Sequence, residues 1–77
     1  MGSAHRRREA IADGWSVVPS SVRAWVAAVL RANTGMVNTT ANQLGVSRAA
    51  IRRVMSGFPS RPDEAVLLER AVSANAR

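Results

Sequence analysis

The chain has 77 residues, no cysteine and one histidine, and eleven arginines against five acidic residues give it a formal net charge of +6. At this length it forms one small domain that buries only about 60–65% of its unfolded surface around a handful of side chains. These counts exclude a disulfide framework, a thiolate metal site and a zinc site built on His5 alone, and no apolar run approaches the ~18–20 residues of a membrane span.

Residues 1–14 read as a basic N-terminal arm, with Arg6, Arg7 and Arg8 in a polar stretch that ends at Gly14. No apolar run follows these arginines, so the segment is not a signal peptide. Glu9 to Ala12 can add a short helix but has little to bury, and a disordered arm and a short helix stand at even odds. The domain proper is 15–77. Its opening WSVV is β-prone and runs into Pro19, which biases Val18 toward an extended conformation. It reads as a linker that lays Trp15 on the core or, alternatively, as an edge strand that pairs across a dimer.

Four helices follow. The first spans about 21–33, with Ser20 or Ser21 as N-cap and a stripe of Val22, Trp25, Val26, Val29 and Leu30 at helical spacing. Gly35 ends it in a left-handed conformation. The second spans about 38–44, capped by Asn38 or Thr39 and closed by Gly45. The third spans about 47–56, capped by Ser47 and stopped at Gly57. Pro59 and Pro62 forbid helix continuation through the next linker, and the fourth helix starts near Pro62. Ser60 and Asp63 resemble a capping box, while Asp63 and Glu64 suit the positive end of the helix dipole. Leu67, Leu68, Ala71 and Val72 give this helix its buried face. The fold class is therefore all-α, a compact four-helix domain with a central helix-turn-helix.

That central unit rests on one spacing. Ala41 is small where two helices cross, Gly45 makes the turn, and Val46 plugs the space between the helices. Ile51 and Val54 return the third helix to the core with Leu44, and Gly45→Val is expected to unfold the turn. Residues 40–54, TANQLGVSRAAIRRV, resemble the helix-turn-helix of bacterial and phage repressors of the lambda-repressor/Cro class. Residues 35–53 are similar to the Fis-type unit as well, and the extra helix after Pro62 favours the repressor-like bundle. Thr40 departs from the apolar or alanine residue usual in these families.

Steps of about 100° on the third helix turn Ser47, Ala50, Ile51 and Val54 inward and Arg48, Ala49, Arg52, Arg53 and Ser56 outward. The resemblance implies that the start of this helix enters the DNA major groove. Arg48 and Arg52 are then expected to fork onto guanine edges, and Ala49 to meet a thymine methyl. Backbone phosphate contacts are expected from Asn38, Thr39, Asn42, Gln43, Ser47, Arg53 and Ser56, with Asn38 and Thr39 offering helix N-terminal amides. Arg6, Arg7 and Arg8 are expected along the minor groove. Arg23, Arg31, Arg61 and Arg70 read as scattered surface charge. The missing lysine is what a GC-rich coding sequence produces.

No Ser-His-Asp set, phosphate loop or metal cluster is available, so the chain is not expected to be an enzyme, and no cofactor, metal or small-molecule ligand is expected. The expected function is a sequence-specific regulator of double-stranded DNA in the cytoplasm of a bacterial cell or phage-infected host, a homodimeric repressor of phage, plasmid or mobile-element type on a palindromic operator, with no membrane partner. The fourth helix, with residues 15–18, is the expected dimer surface. The alternative is an architectural or assembly module, such as a small terminase subunit, an excisionase-like factor or a recruitment adaptor.

Overall fold

A computed structural model describes residues 14–75. The expected arm, with Arg6, Arg7 and Arg8, falls outside the described residues except for Gly14. Four helices follow in order: α1 (Ser20–Ala32), α2 (Val37–Leu44), α3 (Arg48–Ser56) and α4 (Pro62–Asn75). The domain is all-α and compact, as its sequence pattern requires. No helix among the described residues is long and apolar enough to cross a membrane.

α1 starts one residue earlier than expected. Pro19, at φ −57° and ψ 152°, occupies the N-cap position, and its carbonyl accepts from the amides of Val22 and Arg23. Ser20 and Ser21 therefore lie inside the first turn, and no side chain caps the helix. The far end closes through two backbone bonds, Gly35 N to Leu30 O at 2.8 Å and Thr34 N to Arg31 O at 3.0 Å. This closure puts Thr34 as well as Gly35 at positive φ, 54° and 78°. A β-branched residue rarely adopts that conformation.

α2 begins at Val37 behind an extended Met36, again with no side-chain cap. Asn38 and Thr39 sit within its first turn rather than capping it. Thr40 explains its own departure from the apolar pattern. It is fully buried, its hydroxyl donates to the Met36 carbonyl at 2.9 Å, and it accepts from Asn33 Nδ2 at 3.1 Å. Gly45 makes the turn at φ 72°, and Val46 N bonds Ala41 O at 3.0 Å. A Cβ at Gly45 would meet no atom within 4 Å. A Cβ there strains the backbone without itself clashing, and Gly45→Val adds the cost of holding a β-branched residue at positive φ.

α3 is capped as expected, the Ser47 hydroxyl accepting from Ala50 N at 3.1 Å, and it ends at Gly57, φ 76°. The capping box expected for α4 is absent. Ser60 is fully buried, its Oγ has no hydrogen-bond partner, and its backbone pairs with Ser16 through bonds of 3.1 and 2.7 Å. Residues 15–18 are thus a strap tied to the α3–α4 linker of their own chain. The alternative reading, a strand kept for a dimer, does not hold at Ser16.

The core consists of Val18 on the strap, Val22 and Val26 on α1, Ala41 on α2, Ile51 and Val54 on α3, and Ala65 and Leu68 on α4. Trp25 packs against it while half-exposed. The buried face of α4 differs from the expected one. Glu64, Ala65 and Leu68 are buried, Ala71 and Val72 are partly so, and Leu67 is 41% exposed. The buried stripe is shifted toward Ala65 and away from Leu67, and Glu64, one turn before Leu68, lies on it beside its polar partners Ser47 and Arg53.

Candidate nucleic-acid interface

α3 divides cleanly. Ala50, Ile51 and Val54 are buried, while Arg48, Ala49, Arg52 and Ser56 are exposed. Arg48 and Arg52 lie one turn apart on the outward face, and neither side chain has a hydrogen-bond or ion-pair partner among the described residues. Two long cations beside a small Ala49 form a surface that can approach a polyanion closely.

Polar contacts hold the helix at both ends. Ser47 Oγ, while capping Ala50, donates to Glu64 Oε2 at 2.7 Å. At the other end Arg23 Nη2, from α1, donates to the Met55 carbonyl at 3.1 Å, where a cation also complements the helix dipole. The expectation that Arg23 is scattered surface charge is thereby corrected. Its signal in the sequence is faint, since 32 residues separate the partners.

Arg53 does not point outward as expected. Its Nη2 lies 2.9 Å from Glu64 Oε1, its guanidinium sits 5.0 Å from the Trp15 ring centroid, and its side chain is only 24% exposed. One carboxylate therefore takes both Ser47 and Arg53, one on each oxygen, and is itself 7% exposed. Taking a charged group out of water is costly unless it is paired and hydrogen-bonded in this way. Ser47 and Arg53 thus have their side chains engaged inside the protein. Trp15, expected on the core, lies over the Arg53 guanidinium.

The α2 residues on the expected backbone-contact set sit opposite its buried face. Asn38, Thr39, Asn42 and Gln43 are all exposed. Helical spacing puts Asn38 with Asn42 on one flank and Thr39 with Gln43 on the other. The Gln43 carboxamide oxygen accepts from Asn33 Nδ2 at 3.0 Å, so one amide of Asn33 holds both Thr40 and Gln43. The α1 C-terminus thereby fixes α2, and Asn33, read only as a helix stop, acquires a second role.

No group of three or more potential metal-ligating side chains occurs among the described residues. The chain matches no protein-family model, no curated protein and no solved structure.

Proposed function

We propose that this domain binds double-stranded DNA sequence-specifically, with α3 in the major groove, and acts as a dimeric transcriptional repressor. The observation that carries the reading is the face of α3. Arg48, Ala49, Arg52 and Ser56 are exposed on a helix fixed at its N-cap by Glu64 and at its C-terminus by Arg23. Side chains that read base edges need such a fixed platform, because a loose one loses discrimination. Arg48 and Arg52 fork onto guanine O6 and N7, and Ala49 leaves room for a thymine methyl. Asn38, Thr39, Asn42, Gln43 and Ser56 meet the phosphate backbone, and the basic arm adds sequence-independent attraction. The net +6 supports a polyanionic partner.

A second copy docks on α4. Val66, Glu69, Arg70, Ser73 and Ala74 line a shallow groove on the side of α4 away from the core, and Val66 is 48% exposed. Neighbouring acidic and basic residues suit a two-fold contact, where Glu69 of one protomer faces the partner's Arg70.

Titration of a labelled duplex pool at low and moderate salt tests the DNA reading. The protein is expected to bind with a steep salt dependence, and the Arg48→Ala/Arg52→Ala double variant to lose discrimination between duplexes while staying folded. Absence of binding at low salt, with the protein folded, contradicts the reading.

A further inference from the structure

We propose that Glu64, with Trp15, sets the sequence-independent affinity of the domain for DNA by holding the Arg53 guanidinium off the phosphate backbone. The proposal rests on the DNA-binding reading of α3 and assigns a role to residues that touch no DNA.

The starting point is the position of Arg53 on its helix. It lies on the flank of the outward face, within about 40–60° of Ala49 and Ser56. An arginine at that edge is a natural phosphate ligand, and a phosphate contact adds affinity for every sequence alike. Here the guanidinium is turned away. Nη2 is 2.9 Å from Glu64 Oε1, and the Trp15 ring covers it at 5.0 Å. Nε is buried without a partner. Arg48 and Arg52, by contrast, have no such partner among the described residues.

The restraint is built from three parts of the chain. Glu64 comes from the first turn of α4 and is anchored by the Ser47 hydroxyl at 2.7 Å. Trp15 comes from the strap, fixed by the Ser16–Ser60 backbone pair. Arg53 comes from α3 itself. The Glu64 charge cancels that of Arg53 beside the reading face. Arg48 and Arg52 are left as the charges of α3 that the DNA meets. Affinity for every duplex is thus lowered alike, while the contacts that distinguish bases are left as they are. Glu64 and Trp15 are positioning residues: both act through Arg53.

The test is a cycle of variants in the full chain, Glu64→Gln, Arg53→Met and the double variant, with Trp15→Leu as an independent way to open the guanidinium's flank. Circular dichroism first confirms folding. Affinity for a selected site and for an unrelated duplex is then measured over a range of salt. Glu64→Gln is expected to tighten binding to the unrelated duplex roughly three- to tenfold at low salt and to steepen the salt slope by up to about 0.9. Affinity for the selected site rises by a similar factor, so the specificity ratio stays the same while both affinities shift. Trp15→Leu moves both readouts in the same direction by less, and it carries the test alone if Glu64→Gln does not fold. In the Arg53→Met background the Glu64 substitution is expected to leave the slope unchanged. An equal change with and without Arg53 overturns the proposal in favour of a long-range charge effect, and no change in either background overturns it outright. If the unsubstituted protein binds no DNA, the underlying reading fails as well. If that protein binds and only the cycle is flat, this proposal alone fails.

Discussion

At the residue scale, three side chains differ in how their hydrogen-bonding capacity is used. Thr40 is buried in a helix without penalty because its hydroxyl donates to Met36 and accepts from Asn33. Arg53 is engaged by Glu64, whereas Arg48 and Arg52 have no side-chain partner among the described residues. Thr34 shows the reverse situation, a local strain kept for the sake of a turn. Its φ of 54° is forced by the closure of α1, although its hydroxyl bonds the Asn33 carbonyl at 2.6 Å. Asparagine tolerates this region much better than a β-branched residue. Thr34→Asn is therefore expected to stabilise the domain by about 0.5–1 kcal/mol, read as a higher midpoint in urea with an unchanged slope. A lower midpoint would mean that the threonine hydroxyl contributes more than the strain costs.

At the scale of elements, α4 is the most informative. Its buried stripe runs through Glu64, Ala65 and Leu68, with Leu68 fully buried and Leu67 41% exposed. Leu68→Ala is expected to cost about 2–5 kcal/mol, enough to unfold a domain of this size, while Leu67→Ala costs under about 1 kcal/mol. Thermal melts of the two variants check the register, and similar losses at both positions would contradict it. The sequence carried the existence and order of all four helices, because glycine stops and apolar spacing are local signals. The turn at Gly45, the Ser47 cap and the core roles of Val22, Val26, Ile51 and Val54 were legible for the same reason. What was not legible depended on partners distant along the chain. Arg53 and Glu64 are 11 residues apart, Ser47 and Glu64 are 17 apart, and Arg23 and Met55 are 32 apart. Helical spacing alone turned Arg53 outward, and the charge of Glu64 hid its place on the inward stripe with Leu68; only the packing of α4 on α3 brings them together. The caps of α1 and α2 were misread because Pro19 and Met36 begin those helices with backbone geometry alone. The exposure of Arg48, Ala49, Arg52 and Ser56, by contrast, follows directly from the helical period.

For the whole molecule, the small core explains the reliance on polar ties. A 77-residue chain has few apolar side chains to bury, and the recognition surface must still be held rigidly. Glu64, Arg23 and Asn33 supply that rigidity by joining α4 to α3, α1 to α3 and α1 to α2. The exposed side of α4 leaves a second copy room to bind without disturbing α3. A two-fold dimer would place two recognition helices on one face of a duplex, and its target would share that symmetry. The direct measurement is selection of bound duplexes from a random pool, followed by sequencing. An enriched palindromic consensus with half-sites about one helical turn apart is expected. So is a guanine in each half-site whose selection is lost with Arg48→Ala or Arg52→Ala. Recovery of a pool with no enriched sequence, by a folded protein, would contradict the claim that α3 reads DNA.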